Sequence, residues 1–363
     1  FEDVETQGEA VQQAIPLASV NLNLGQPGDL LTMPALQQAH SDVTRQLEAA
    51  EALATLASLN GAIYPHAALE FGWRQLLYHS TPEQLGTPSV DETVFDALAG
   101  YREVAEWSAD TLRRSRTFLA EAINTGAAVP LDKGALQGLV VFNPTAVTAT
   151  VPVRALLPVD PSAGIALFNP AGNSVPFASR PYQGGQEIEF VAEDLPSFGY
   201  ATWFFGTTTT APTTVSGEDV QIENDLLALF VDPKTGAIRS IRNKKTGEDI
   251  DEGLVNQVLV LSETESENKG GKELWTTGQG AALSSPAEIR SEHDAFRQRI
   301  TVSTPMDGGM LTQIYTLYRG IPWINCETTL DKVALNGKAA VLSFDLPHQG
   351  RSLLVGERLG AQV

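Results

Sequence analysis

The sequence has little cysteine: Cys326 is the only one among 363 residues. A single thiol can form neither a disulfide framework nor a zinc cage built from cysteine ligands. Cys326 lies in the strand-like segment WINCETTL. We therefore expect a buried structural thiol at this position rather than a nucleophile.

Positive charge is also scarce. There are 24 Lys and Arg residues against 44 Asp and Glu residues, which gives a net charge of −20. Nucleic acids and anionic membranes both require basic patches, so the charge argues against either as a partner. No apolar run approaches the roughly 18 residues of a membrane span. A neutral partner such as a sugar is compatible with this surface.

Familiar targeting and catalytic signatures are missing as well. The first residues, FEDVETQGEA, show no signal-peptide pattern and are typical of a segment within a longer chain. We expect a cytoplasmic location, since no signal-peptide pattern is seen. We find no P-loop, GxGxxG, Ser-His-Asp or HExxH pattern.

The first positive feature of the sequence is a helical periodicity. Residues 1–31 are predicted to form short extended pieces and loops, whereas residues 32–126 repeat apolar side chains at three- and four-residue steps. Asn60-Gly61 and Gly126 provide stop signals, and Ser89 with Glu92 forms a capping box. Three helices joined by short links predict a three-helix bundle over 32–126.

From about residue 136 the period becomes two, which indicates β-strands. Residues 136–206 are predicted to form a small β-sandwich, and a polar linker follows it. Residues 217–363 are predicted to form a large antiparallel β-sandwich, similar at the level of fold to the supersandwich of sugar mutarotases. The predicted class is therefore α+β, with helices preceding the sheets.

Several of these segments together resemble one enzyme family. The bundle is followed by LVVFNPTAVTATVPV, LPSFGYATW and IENDLLALFVDPKTGAIRSIRNKKTGEDI, and later by QIYTLYRGIPWINCETTLD. This series resembles the middle and C-terminal domains of the α-mannosidases of glycoside hydrolase family 38. The resemblance runs from about residue 20 to the end of the chain.

The resemblance implies hydrolysis of α-linked mannosides with retention. An aspartate would act as the nucleophile, a second carboxylic acid would protonate the leaving oxygen, and a zinc ion would hold sugar hydroxyls. In the family, an N-terminal barrel carries the nucleophile and most zinc ligands. The resemblance implies that residues 1–31 lead out of such a barrel. The barrel would be the partner of this chain, and the chain alone is expected to be inactive.

The link LLYHSTPEQLGTPSVDET, residues 76–93, corresponds to the family segment whose histidine completes the zinc site. Aligned on its ends, that histidine falls on Pro82 and the following aspartate on Glu83. Proline cannot bind zinc, and the nearest histidine, His79, lies three residues earlier. His79 is therefore the candidate metal ligand, with an exposed histidine at a helix C-terminus as its structural alternative.

Three further residues are candidates on the substrate side. Glu83 lies four residues after His79, and Asp91 opens the third predicted helix, where a role in capping is the alternative. Trp275, in KELWTTGQG, follows a polar loop and is a candidate for stacking on a sugar, whereas Trp203 and Trp323 are expected in the core.

Two other functions stay open. The altered link is compatible with a catalytically degenerate protein that binds carbohydrate or acts as a scaffold. The second open function is a mutarotase-like activity of the large sandwich. It would need a histidine as the acid and a carboxylate as the base, both facing one pocket. His293 with Asp294, or His348, are candidates for that pair.

Overall fold

The computed structural model describes residues 34–81, 91–128, 136–208, 215–250, 253–266, 274–277, 280–283, 288–345, 355–357 and 360–362. The predicted segment 1–31 lies outside these residues. So do Ser89 of the predicted capping box, Glu83 and His348.

The N-terminal part of the described chain is a helical bundle. It consists of α1 (Pro34–Leu59), α2 (His66–Tyr78) and α3 (Asp91–Ala122), followed by a 3-10 turn at Thr125–Ala128. The core contains the apolar side chains that recur at helical spacing, as the periodicity predicts. These include Leu36, Val43, Leu47, Ala50, Ala54, Leu69, Leu76, Ala97, Tyr101 and Val104. None of the helices described here is long and apolar enough to cross a membrane.

The turn between the first two helices follows from Asn60 and Gly61. Gly61 has φ +100°, a conformation that glycine adopts without steric cost. The amide of Gly61 donates to the carbonyl of Ser58, and the Asn60 side chain donates to the carbonyl of Leu56. These bonds satisfy carbonyl groups that the end of α1 leaves open.

A small β-sandwich follows the bundle. Its strands are β1 (Gln137–Asn143), β2 (Ala149–Leu157), β3 (Gly164–Phe168), β4 (Phe177–Tyr182), β5 (Gly185–Leu195) and β6 (Gly199–Thr208). They form two antiparallel sheets, in the orders β1-β6-β3 and β2-β5-β4. Alternate side chains of the two sheets meet in a core that contains Ile188, Phe190 and Trp203.

The C-terminal part is a larger antiparallel sandwich. Its strands are β7 (Val215–Gly217), β8 (Gln221–Glu223), β9 (Leu227–Val231), β10 (Ile238–Asn243), β11 (Asp249–Ile250), β12 (Val255–Ser266), β13 (Leu274–Thr277), β14 (Ala281–Ala282), β15 (Glu288–His293), β16 (Arg297–Met306), β17 (Gly309–Tyr318), β18 (Asn325–Asp331), β19 (Lys338–Phe344), β20 (Val355–Glu357) and β21 (Gly360–Gln362).

These strands form two main sheets and one separate hairpin. The first sheet has the order β13-β12-β10-β9-β8, with β11 paired to β10 and with β14 and β19 paired to β12. The second has the order β18-β17-β16-β15-β7, and β20 pairs with β21. Leu229 and Val231 of the first sheet pack against Ile300 and Tyr315 of the second.

The small sandwich is in contact with both the bundle and the large sandwich. Phe142 of β1 packs against Leu53, Ala57 and Leu119 at one end of the bundle. On the other side of the small sandwich, Val191 of β5 joins a buried cluster of the large sandwich that contains Phe296, Tyr318 and Ile321.

The predicted α+β class is confirmed, because helices precede antiparallel β-sandwiches along the chain. Two expectations about individual side chains were wrong. Cys326 and Trp323 were expected in the core, but both are exposed, because Cys326 lies on the edge strand β18 and Trp323 lies in the loop before it. In α2, Leu77 is exposed although the adjacent Leu76 is buried.

Candidate functional site

The link that follows α2 is anchored by hydrogen bonds to all three helices. The Ser80 hydroxyl donates to the carbonyl of Leu76 at 2.5 Å and bonds the Nε2 atom of His40, in α1, at 2.9 Å. The Tyr101 hydroxyl, in α3, donates to the carbonyl of His79 at 2.6 Å. The start of the link is therefore held by side chains that lie 40 and 22 positions away in the sequence.

His79 follows the last residue of α2, and its side chain is only 4% exposed. Its ring lies against the backbone of Gly100, where an added Cβ atom would be 2.4 Å from Nε2. Edge-to-face ring contacts join it to Tyr78 and Tyr101, with centroids 5.0 and 5.8 Å apart. The structural alternative of an exposed histidine is wrong, because the absence of a side chain at Gly100 makes room for the imidazole inside the bundle.

The other predicted site residues lie apart from this packing. Asp91 is exposed in the first turn of α3, where a carboxylate interacts favourably with the helix dipole. The backbone of Trp275 belongs to β13, which pairs with β12, and its side chain lies outside the described residues. The substrate-side roles of Glu83, Asp91 and Trp275 stay predictions.

Within the described ranges, no group of three or more His, Cys, Asp and Glu side chains could hold a metal ion. Structural and catalytic zinc sites use three or four such ligands. His79 could join a zinc site only together with ligands that lie outside these ranges. The described residues thus do not form a zinc site by themselves, and the assignment of His79 as a ligand stays a prediction.

The densest cluster of charges lies between the two sandwiches. Glu189 of β5 is almost buried, and its carboxylate forms an ion pair with Arg297 of β16. The Tyr318 hydroxyl donates to Glu189 at 2.7 Å, and Arg154 of β2 approaches it at 3.2 Å. The Arg297 Nε atom also donates to Asp294 at 2.8 Å. Because these partners come from both sandwiches, the cluster joins the two units.

The surroundings of Glu189 change its acidity. Burial alone raises the pKa of Glu189, but the hydrogen bond from Tyr318 and the neighbouring guanidinium groups outweigh burial and hold this pKa below its ordinary value. Burial, together with the Glu189 carboxylate, raises the pKa of Tyr318. The carboxylate is therefore ionised at neutral pH and the phenol is protonated.

Two clefts lie beside this cluster. One, of about 420 Å³, is bordered by Glu223, Asn224, Asp225 and the segment 294–298. The other, of about 350 Å³, lies between the small and the large sandwich, and we call it the inter-sandwich cleft. Phe296 and Arg319 line both clefts.

Neither cleft is lined by a histidine. The side chain of His293 bonds Asp219 at 3.0 Å, and Asp294 bonds Arg297. The acid and the base that a mutarotase-like reaction needs are therefore not brought together by His293 and Asp294.

The fold defines an α+β protein in which a helical bundle precedes two antiparallel β-sandwiches. Residues 222–352 match the C-terminal domain of glycosyl hydrolases family 38. Over these residues the chain is similar to that C-terminal domain, and the resemblance seen in the sequence is confirmed there. A comparison with curated proteins finds no significant match.

Solved structures show the same fold over most of the chain. A protein in the glycosyl hydrolase family 38 from Enterococcus faecalis matches with a TM-score of 0.66 and 19% identity, covering 92% of this chain and 47% of its own. An alpha-mannosidase from Enterococcus faecalis V583 matches with a TM-score of 0.65 and 17% identity, covering 95% and 47%. The chain spans about half the length of these proteins.

Proposed function

We propose that this chain is the non-barrel portion of an α-mannosidase-like glycoside hydrolase. The parent protein would hydrolyse α-mannosidic bonds with retention, at a site carried mostly by an N-terminal barrel. The observation that carries the proposal is the match of residues 222–352 to the family's C-terminal domain, within a fold similar to family structures over 92% of the chain. The chain alone is inactive in this proposal, since the nucleophile belongs to the barrel.

The described surface supports a docking place for that barrel. Leu77 and Tyr78, at the end of α2, are 65% and 63% exposed, and Phe95, near the start of α3, is 69% exposed. All three lie at the end of the bundle that holds the link after His79. Clustered large apolar side chains on a surface mark interaction sites. Covering them with the barrel would place this end of the bundle against it.

Zinc is part of this proposal for the parent protein. When bound, it would orient the hydroxyl groups of the sugar, with most ligands supplied by the barrel. His79 is this chain's proposed contribution, from its position against Gly100. Measuring the zinc content of the parent with His79→Gln tests that contribution, because a ligand's loss lowers the zinc stoichiometry.

The decisive experiment is hydrolysis of an aryl α-mannoside by the full-length parent, with and without a strong chelator. We expect turnover that the chelator abolishes and added zinc restores. Anomeric NMR of the first product should show retention. Absence of turnover from folded, zinc-loaded parent would overturn the proposal.

A second candidate function is a parent that binds carbohydrate or acts as a scaffold without hydrolysing mannosides. Pro82 favours it, because it stands where the family has its zinc-binding histidine. Mannoside binding by the parent without turnover would support this candidate. In both cases we propose a cytoplasmic protein.

A further inference from the structure

We propose that the inter-sandwich cleft binds a neutral hexose unit. The cleft lies where the small sandwich meets the large one, and pockets between structural units are common places for small ligands. Its volume of about 350 Å³ is at the lower end of the range of small-molecule sites, which favours a single sugar unit.

A β-bulge builds the wall that the small sandwich contributes. Glu193 and Asp194 of β5 together face the single residue Thr150 of β2, and Asp194 has φ +52°. The amide of Asp194 bonds the Thr150 hydroxyl at 3.1 Å, which fixes the bulge. A bulge redirects side chains, and this one leaves both carboxylates exposed at the cleft.

The large sandwich contributes the opposite charge. Arg319 follows β17, and its amide donates to the carbonyl of Phe296 at 2.8 Å, which fixes its backbone at the cleft. Among the described residues, the side chains of Arg319, Glu193 and Asp194 form no hydrogen bond or salt bridge. The amide of Gly320 and, to a smaller extent, the Arg319 guanidinium lower the pKa of the neighbouring Asp225 carboxylate. The charges of Glu189 and Arg297 are in contrast already paired, with each other and with further partners.

The available hydrogen-bonding groups define the ligand. The two carboxylates only accept hydrogen bonds, and Arg319 only donates them. The side-chain oxygen of Asn169 already accepts from the amides of Ala171 and Asn173, so Asn169 offers its NH2 group as a donor. Hydroxyl groups both donate and accept, so a polyol satisfies both sets. An anion is disfavoured by the two carboxylates, and a simple ammonium ion would leave Arg319 and Asn169 without a partner.

The base of the cleft suits a sugar ring. Val175 and Pro176 are half-buried, and Val191, Trp203 and Phe296 are buried beneath them. Carbon–hydrogen groups of a ring can lie on this apolar floor while the hydroxyl groups reach the polar rim. The apolar floor and the polar rim together favour a hexose over a linear polyol.

The test measures binding to this 363-residue chain, in which no barrel can contribute. The probes are methyl α-mannoside, methyl α-glucoside, sorbitol and inorganic phosphate, examined by saturation-transfer NMR and calorimetric titration. The mannoside is the first probe because of the proposed function. We expect saturation transfer to ring protons of at least one hexoside, and weaker binding of sorbitol and phosphate.

Variants locate the site. Asp194→Asn combined with Arg319→Gln keeps a residue that tolerates the positive φ and should weaken hexoside binding at least tenfold. Arg290→Gln, an exposed arginine paired with Glu288 and absent from the cleft lining, is the matched control and should leave binding unchanged. Unfolding in urea confirms that all variants are folded.

Three results would overturn the proposal. They are the absence of hexoside binding, equal hexoside binding by the double variant, and binding of phosphate in preference to hexosides. These outcomes are independent of the proposed hydrolysis, since that is measured as turnover by the full-length parent.

Discussion

The carboxylate of Glu189 in the small sandwich and the guanidinium of Arg297 in the large sandwich form an ion pair between the two units. The residues are 108 positions apart, and their side chains are 11% and 9% exposed. Removing one member of a buried pair leaves the other charge without compensation, which is far more costly than losing an exposed pair. This pair therefore offers the most direct test of how the two sandwiches are joined.

Replacing Glu189 with Gln is expected to lower the free energy of unfolding by about 3 kcal/mol, because Arg297 stays buried and keeps only Asp294 as a carboxylate partner at hydrogen-bond distance. The measurement is equilibrium unfolding in urea. Glu187 lies in the same strand as Glu189, and Glu187→Gln is the matched control. This change removes a more exposed pair with Arg180 of β4 and should cost less than about 1 kcal/mol. Equal losses in both variants would contradict a special role for Glu189.

The same residue predicts a dependence on pH. Because the pKa of Glu189 is lowered in the folded protein, its contribution is fully present above the ordinary glutamate pKa of about 4.3 and is lost as the pH falls through the lower folded-state pKa. The difference in unfolding free energy between wild type and Glu189→Gln should be constant from pH 7 to 5 and shrink below pH 4. A difference that stays constant down to pH 3 would contradict the prediction, because it would mean that the pKa of Glu189 is the same in the folded and the unfolded protein.

Gly100→Ala tests the packing of His79. Alanine normally stabilises a helix interior relative to glycine by about 1 kcal/mol, but here its Cβ would lie 2.4 Å from the His79 ring. We expect a net loss of about 1–3 kcal/mol in the free energy of unfolding. Gly126→Ala, whose Cβ would meet only Asn124 at 3.5 Å, should show no such loss.

A double variant isolates the contact between these residues. In a His79→Ala background, Gly100→Ala should be neutral or stabilising, because the ring that it would meet is gone. A cost that is the same in both backgrounds would mean that the strain arises elsewhere.

Asn224, in the IEN segment that marks the family resemblance, is expected to be important for folding rather than for chemistry. Its NH2 group donates to the carbonyls of Tyr318 and Ile321 at 2.6 and 2.9 Å, and its oxygen accepts from the amides of Leu226 and Leu227. Asn224→Ala should cost about 2–4 kcal/mol, because several buried groups lose their partners. The neighbouring Glu223→Ala, at a mostly exposed side chain, should cost less than about 1 kcal/mol in the same urea experiment.

Local patterns were sufficient to predict that helices precede antiparallel strands along the chain. The helices of the bundle follow repeats such as Leu36, Val43 and Leu47, and the strands follow alternation. Burial of single residues was less predictable. Trp203 and Trp323 both lie in strand-like segments, yet only Trp203 is covered by a second sheet.

The charge cluster was missed for a related reason. In β5, Ile188, Phe190 and Ala192 alternate with Glu187, Glu189 and Val191, so a two-residue period assigns Glu189 to solvent. The large sandwich covers this outer face instead. The apolar Val191 on the same face was the one signal in the sequence that could have indicated a covered surface.

The sequence by itself determined the order of helices and sheets, the acidic surface and the relation to family 38. These properties depend on composition, on local periodicity and on motifs read along the chain. Only the tertiary structure decided that His79 packs against Gly100, that Glu189 meets Arg297 and that a cleft opens beside Asp194 and Arg319. Each depends on how separate elements pack, because the faces brought together are distant in sequence and carry no local mark of their partners.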